Sequence, residues 1–229
     1  MSLITDFIAL FFPQTCYVCG NSLYKNEAVV CTRCLLHLPE TDYHKTPENP
    51  LHQIFWGKIP VVNASAMFFF KKGGSVQQLI HEFKYRGHHE IGTYLGNKYG
   101  YKLKAEEGYA DIAKVIPIPL HPKKLRKRGF NQAEIFASGM AETMHADLDT
   151  HSVKRVISTS TQTKKSRYKR WENVSGIFEI TDPAGLVNKH ILLVDDVITT
   201  GSTMEACLQQ LHTIEGIKLS VASIACAVR

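Results

Sequence analysis

Apolar and polar positions follow no regular period over the first sixty residues, and from there on they alternate between two recognisable patterns. Val61–Phe70 is a nearly continuous apolar run and predicts a strand. Val76, Leu79, Ile80 and Phe83 follow at i, i+3, i+4 and i+7, one face of a helix over 74–86. The tract Ile91–Leu103 predicts a second helix, and Val115–Pro119 a short buried strand ended by its prolines. Asn131 and Glu134 have the spacing of a helical capping box and open a helix to about Met144. Ile177–Ile180, His190–Val194 and Leu219–Val228 are further strands. Ser202 to Glu205 forms a second capping box, with Cys207, Leu208, Leu211 and Ile214 on one face behind it. Strands alternating with helices predict an α/β fold, a mostly parallel sheet flanked by helices. Residues 36–60 read as an irregular wrap or linker and residues 4–12 as a short amphipathic helix. The chain therefore divides into an N-terminal segment, 1–60, and an α/β domain, 61–229.

Composition narrows the class. With 229 residues, 44% apolar and 21% charged, the chain is too apolar for disorder and long enough for one full core with a small appendage. The run from Phe7 to Pro13 is far short of the ~20 residues of a membrane span. Asp6 stands where a secretory signal needs a basic stretch. A soluble, cytoplasmic protein is expected. The net charge of +6 is local in origin: Lys123, Lys124, Arg126, Lys127 and Arg128 form one acid-free stretch. Lys154, Arg155, Lys164, Lys165, Arg167, Lys169 and Arg170 form another, and the rest of the chain is net acidic. Such clustering fits a polyanionic partner, or two solvated loops.

Four of the six cysteines, Cys16, Cys19, Cys31 and Cys34, form two C-x-x-C knuckles separated by eleven residues. Four thiolates at this spacing suit a tetrahedral zinc ion and close its coordination shell, which makes the site structural. Gly20 follows the first knuckle, where the turn around a metal needs positive φ. A redox pair needs no second copy, and disulfides call for a secreted protein. Such a metal supplies on the order of 10 kcal/mol to a segment too small for its own core.

The most informative run is Ile191 to Thr203, an apolar strand leading into Asp195 and Asp196, then a Thr/Gly/Ser loop, then a helix. At the carboxyl end of a parallel strand this is where open α/β sheets bind ligands. The loop Thr199, Thr200, Gly201, Ser202 and Thr203 can aim backbone N–H groups, hydroxyls and a helix dipole at one anion, with Gly201 permitting close approach. The acids would repel that anion and so face vicinal hydroxyls or a magnesium ion. A phosphate at one end and hydroxyls in the middle describe a ribose 5-phosphate. The alternative is a strand–turn–helix in which the acids only cap.

That run resembles the phosphoribosyl pyrophosphate (PRPP) signature of type I phosphoribosyltransferases. Together with the C-x-x-C pairs, Lys84–Gly87, Ile116–Pro119 followed by Arg128–Gln132, and Thr161-Gln162 with Arg167 and Arg170 before Asn173 and Gly176, it resembles the ComF family over essentially the whole chain. The resemblance implies a type I phosphoribosyltransferase-like fold with a small N-terminal zinc-binding subdomain built on the four knuckle cysteines. It implies that Asp195 and Asp196, at the catalytic centre, hold the ribose hydroxyls, and that Thr199–Thr203 hold the 5-phosphate. Lys123, Arg128 and Gly129 would form the pyrophosphate loop. Residues 159–173, with Arg167 and Arg170, would be a catalytic loop closing over the pyrophosphate and its magnesium. Lys84 and Arg86 either join this PRPP site or complement the C-terminal dipole of their helix.

Such a site permits displacement of pyrophosphate at C1 by a nitrogenous acceptor, with the cations stabilising the departing charge. The last strand ends near Val228 at the end of the sequence, so an acceptor pocket is expected from residues 1–60 or the helix 74–86 rather than from a C-terminal hood. Two functions follow. One is a PRPP-binding phosphoribosyltransferase-family protein acting in DNA uptake or nucleotide handling, alongside a DNA translocase. The other is a single-stranded DNA binder in which the fold is a non-catalytic module and Phe130, Tyr168 and Trp171, if not packing residues, stack bases.

Overall fold

The computed structural model describes residues 13–156 and 176–227. The expected helix at 4–12 and the expected loop 159–173, with Arg167, Arg170, Tyr168 and Trp171, lie outside them. Five strands form the main sheet: β1 (Ala64–Phe70), β2 (Lys114–Pro117), β3 (Asp147–Leu148), β6 (His190–Ile198) and β7 (Lys218–Ala227). Their order is β1-β7-β6-β2-β3, and every neighbouring pair is parallel. The α/β fold class expected from the sequence is observed. β1, β6 and β7 are almost continuously buried, as strands covered on both faces must be. A separate antiparallel ribbon joins β4 (Val153–Arg155) to β5 (Phe178–Ile180), so the strand expected at 177–180 stands outside the main sheet.

Two cores flank the sheet. One lies under α3 (Ser75–Arg86), α4 (His89–Lys104) and α6 (Gln132–Met144), and it includes Phe68, Phe83, Leu95, Tyr99 and Phe136. The other lies under α7 (Ser202–Leu211) and includes Leu193, Leu208 and Val221. Into this second core the N-terminal segment inserts Leu51, at the start of a short helix α2 (Pro50–Gln53), and Phe55. Residues 36–60 are therefore a wrap that completes the core. Asn49 fastens the wrap by donating to the carbonyls of Tyr43, Thr46 and Ala64.

α4 and α6 lie unusually close because glycine lines their contact. A Cβ on Gly96 would stand 2.3 Å from the carbonyl oxygen of Phe136, and one on Gly139 would stand 2.7 Å from that of Thr93. The close packing sets the height of α6 and of the loop that feeds it.

The strands carry one irregularity. β6 and β7 pair at Asp195↔Ser223 and resume at Val197↔Ala225, while β1 and β7 pair at Ala66↔Ser223 and resume at Phe68↔Ala225. The skipped row, Met67–Ile224–Asp196, crosses three strands. Beyond it the side chains exchange faces: Leu193 and Val221 belong to the α7 core, whereas Val197 and Ala225 pack in the other. At the opposite edge of the sheet His190 bridges Asp111, at 2.5 Å, and Ser220, at 2.8 Å, through its two ring nitrogens. This pins the starts of β6 and β7.

Candidate functional site

Asp195 and Asp196 lie within β6, which runs four residues further than the sequence suggested because its ladder with β7 continues to Ile198↔Cys226. Neighbours in a strand project to opposite faces. Asp196 turns to α3, where the Lys84 ammonium lies 2.7 Å from its Oδ2, with both side chains under a fifth exposed. Asp195 accepts a 2.8 Å hydrogen bond from the Asp196 N–H. Burial, and next the neighbouring Asp196, push its carboxyl up to about 7, against the pull of that N–H, Lys84 and Arg155. The pair is therefore poorly satisfied as two carboxylates.

The loop after β6 closes around a hollow of about 40 Å³ lined by Asp195 and by Val197 through Met204. Gly201, φ 76°, is the N-cap of α7, so Ser202 is the first helical residue and the expected capping box does not form. Ser202 instead pairs its hydroxyl with that of Thr200 at 2.9 Å, and Glu205 receives Lys58 at 2.8 Å. The sequence suggested that Gly201 admits a ligand. In the structure its missing side chain also admits Ile54, since a Cβ there would lie 2.7 Å from Ile54 Cγ2.

After β2 the chain is helical where a loop was expected: α5 (Pro122–Arg128) starts on Pro122, with the His121 ring accepting from the Lys123 N–H. Gly129, φ 83°, ends it. Asn131 then ties the turn down, donating from Nδ2 to the Ile118 carbonyl and accepting from the Ala133 N–H as the N-cap of α6. Asn131 is thus the N-cap residue the sequence reading expected, with its bond from Ala133. Arg128 donates to Gln132 Oε1 at 3.0 Å, and its guanidinium sits 6.0 Å from the centre of the Tyr85 ring on α3. Lys124 feels Arg155 and Arg128 closely enough that they, after partial burial, lower its pKa. Lys124 of the first basic stretch is thus near enough to Arg155 of the second to feel its charge.

Arg155 belongs to the second basic stretch, and nothing in the sequence sets it apart as a site residue. Its direction comes from tertiary structure: Asp149 accepts from Lys114, Ser152 and the N–H groups of His151 and Ser152, fixing the turn into β4. Those bonds outweigh burial and hold the Asp149 carboxyl at about 2. Arg155 then lies against Phe178 and faces Asp195. Two expected residues are not brought to the acids. Arg86 is two-thirds exposed and pairs with Glu82, and Lys123 is exposed on α5. Phe130 packs on Phe83 and His89, a packing role rather than an open stacking platform.

The sulfurs of Cys16, Cys19, Cys31 and Cys34 all lie within 4.8 Å of one another, a geometry that can hold a metal ion. Backbone N–H groups of Cys31 and Cys34 point at the sulfurs of Cys16 and Cys31 at 3.3 and 3.5 Å, as suits thiolates. Gly20 has the expected positive φ, 76°. Cys31 also caps a short helix, α1 (Thr32–His37). Between the first two cysteines Tyr17 reaches the α3–α4 corner, donating to Glu90 at 2.5 Å and packing on the His88 ring. No helix among the described residues is long and apolar enough to cross a membrane.

The fold is a parallel α/β sheet with two acids in one central strand and a small loop-lined hollow behind them. Residues 128–228 match the phosphoribosyl transferase domain family. The chain is similar to the DNA utilization protein YhgH of Escherichia coli K12, 26% identical over 89% of this chain and 86% of that one. It is 30% identical to competence protein ComFC of Bacillus subtilis over 56% of this chain and 50% of that one. It is also 34% identical to competence protein F of Haemophilus influenzae, over 39% and 40%. These relatives bear out the ComF-family resemblance. Among solved structures, glutamine PRPP amidotransferase from B. subtilis aligns with TM-score 0.40 and 15% identity over 62% of this chain and 30% of that chain.

Proposed function

We propose that the protein binds PRPP with magnesium and is a phosphoribosyltransferase-family protein of DNA uptake or nucleotide handling. The observation that carries this reading is the arrangement around β6: two adjacent acids, a hollow formed by the loop behind them, and Arg155 near enough to Asp195 to feel its charge. Asp195 and Asp196 hold the ribose hydroxyls, and the N–H groups and hydroxyls of Thr199 to Thr203 hold the 5-phosphate. The start of α7 adds its positive dipole end. Arg128 and Arg155, with Lys124 and the Gly129 turn, face the pyrophosphate. Arg167 and Arg170 are assigned to the same role from their place in the sequence alone. Lys84 holds Asp196 in place for the sugar. Magnesium supplies neutralisation of the diphosphate charge. The cations gain most as the C1–O bond lengthens and charge flows to the pyrophosphate, so they favour displacement at C1.

The thiolates of Cys16, Cys19, Cys31 and Cys34 hold zinc, which staples the N-terminal segment. Relatives named DNA utilization protein and competence protein support a place in DNA uptake or utilisation; the reading takes the cytoplasm as its location and single-stranded DNA and a DNA translocase as its partners. The test is calorimetric titration of the full-length protein with PRPP and magnesium. Saturable binding that weakens more than tenfold in Asp196→Asn is expected. A folded wild-type protein that takes up no PRPP would overturn the reading.

A further inference from the structure

The four knuckle cysteines are not equivalent. Cys16 and Cys31 are buried, Cys34 is half-buried, and Cys19 alone among them is exposed. The Cys19 sulfur stands 3.8 Å from that of Cys31, a contact that crosses from one knuckle to the other. The fold thus sets an accessible sulfur of the first knuckle against a sheltered sulfur of the second. A metal-held sulfur stays a thiolate, and its attack on an oxidant is then limited by access, which favours Cys19.

The first knuckle also carries a tie to the rest of the molecule. The Tyr17 hydroxyl donates to Glu90 and lies 3.0 Å from His88 Nδ1, at the corner between α3 and α4. A cavity of about 530 Å³ lies between the knuckle and that corner, lined among others by Tyr17, Gly20, Glu82, His88 and Glu90. The Tyr17 contacts therefore span the edge of an opening and are not backed by continuous packing. Backbone that loses its hold at Cys19 is two residues from the side chain that makes them.

We propose that this arrangement is an oxidant-sensitive clasp: hydrogen peroxide joins Cys19 to Cys31, zinc leaves, and Tyr17 loosens from the α3–α4 corner. The inference rests on the zinc reading above. In the first step the Cys19 thiolate attacks a peroxide oxygen. An S–O bond forms as the O–O bond breaks, and the departing hydroxide takes up a proton to become water. In the second step the Cys31 thiolate attacks the Cys19 sulfur and displaces hydroxide, which likewise takes up a proton. Two electrons pass from the sulfurs to the peroxide, leaving one disulfide and two waters. Zinc keeps only the Cys16 and Cys34 thiolates, half of a closed tetrahedral shell.

The experiment treats the zinc-loaded, full-length protein with hydrogen peroxide. Released zinc is followed with a chelating dye, the disulfide is mapped by mass spectrometry after alkylation, and amide hydrogen exchange is read at the corner. The His89 and Ile91 amides there are bonded to the Gly87 and His88 carbonyls. One zinc is expected per Cys19–Cys31 disulfide, with exchange of those two amides about tenfold faster and all changes reversed by a thiol reductant with added zinc. Tyr17→Phe keeps every sulfur. It should release zinc at the wild-type rate, with corner exchange already fast before peroxide. Zinc retained in excess peroxide would overturn the clasp and leave the zinc reading standing. Release with Cys16–Cys19 or Cys31–Cys34 linkages would overturn the assigned pair, and unchanged corner exchange in oxidised wild type would overturn the tie. Protein that takes up no zinc would overturn both the reading and the clasp.

Discussion

Replacing Lys84 by Met keeps the side-chain stem and removes the charge that holds Asp196. The Nζ–Oδ2 separation is 2.7 Å, so the gross attraction at an effective dielectric of about 20 is roughly 6 kcal/mol, most of it offset by desolvation. Removing one partner of a fully buried pair costs about 3–5 kcal/mol, and the residual exposure here reduces that to about 2–3 kcal/mol. The loss should depend on pH in a definite direction. The Asp195 carboxyl ionises near 7 in the folded protein, well above its unfolded value. The native state therefore binds that proton more tightly, and this group's contribution to stability falls as pH rises from about 4 through 7. Above 7 the Asp195 carboxyl is charged beside Asp196, and Lys84→Met removes a cation that offsets it. Below 6 Asp195 is neutral and that contribution is gone. Urea unfolding across pH 5 to 8 should show wild type and Lys84→Met diverging as pH rises, with the larger loss, about 2–3 kcal/mol, at pH 8. Asp196→Asn in the same background should restore most of the loss. A pH-independent difference, or no rescue by the second change, would refute an electrostatic role and leave only packing of the α3 terminus.

Gly201→Ala should cost about 2–4 kcal/mol, since it combines a positive φ with a Cβ 2.7 Å from Ile54 Cγ2. Adding Ile54→Ala should recover the steric share and no more, which chemical denaturation of the four-member cycle will measure. Asn131→Ala should lose the Ile118 tether and the α6 cap, about 1–2 kcal/mol by thermal unfolding, and should weaken PRPP binding through Arg128. Purified protein should carry one zinc per chain by elemental analysis. Cys31→Ser should abolish it and lower the unfolding midpoint, and metal-free protein with an unchanged midpoint would contradict the staple.

Most of the architecture was legible because it depends on local pattern. The i, i+3, i+4, i+7 face of 76–83 is the buried face of α3, and the alternation of apolar runs and helices yields the parallel sheet. The motif at 191–203 marked the candidate site, but its geometry required tertiary facts. The strand extends through the acids because β7 offers partners as far as Cys226, which nothing within 191–203 encodes. Ser202 and Glu205 have capping-box spacing, yet Gly201 caps the helix because Ile54 presses on the loop from 147 residues away. Arg155 is indistinguishable from its basic neighbours until the Asp149 turn aims it. Gly92, Gly96 and Gly100, spaced by four within a predicted helix, were a readable sign of close helix contact, and the structure shows Gly96 against α6.

Tyr17 sits inside the first cysteine knuckle and grips His88 and Glu90, the residues joining α3 to α4. The same α3 carries Lys84 four residues before His88. On the proposed reading, metal occupancy and sugar-site order belong to one mechanical linkage, in which stripping the ion would slacken a bracket whose far arm is the Lys84 ammonium against Asp196. Amide hydrogen exchange should then quicken in the last turn of α3 before it quickens in the sheet.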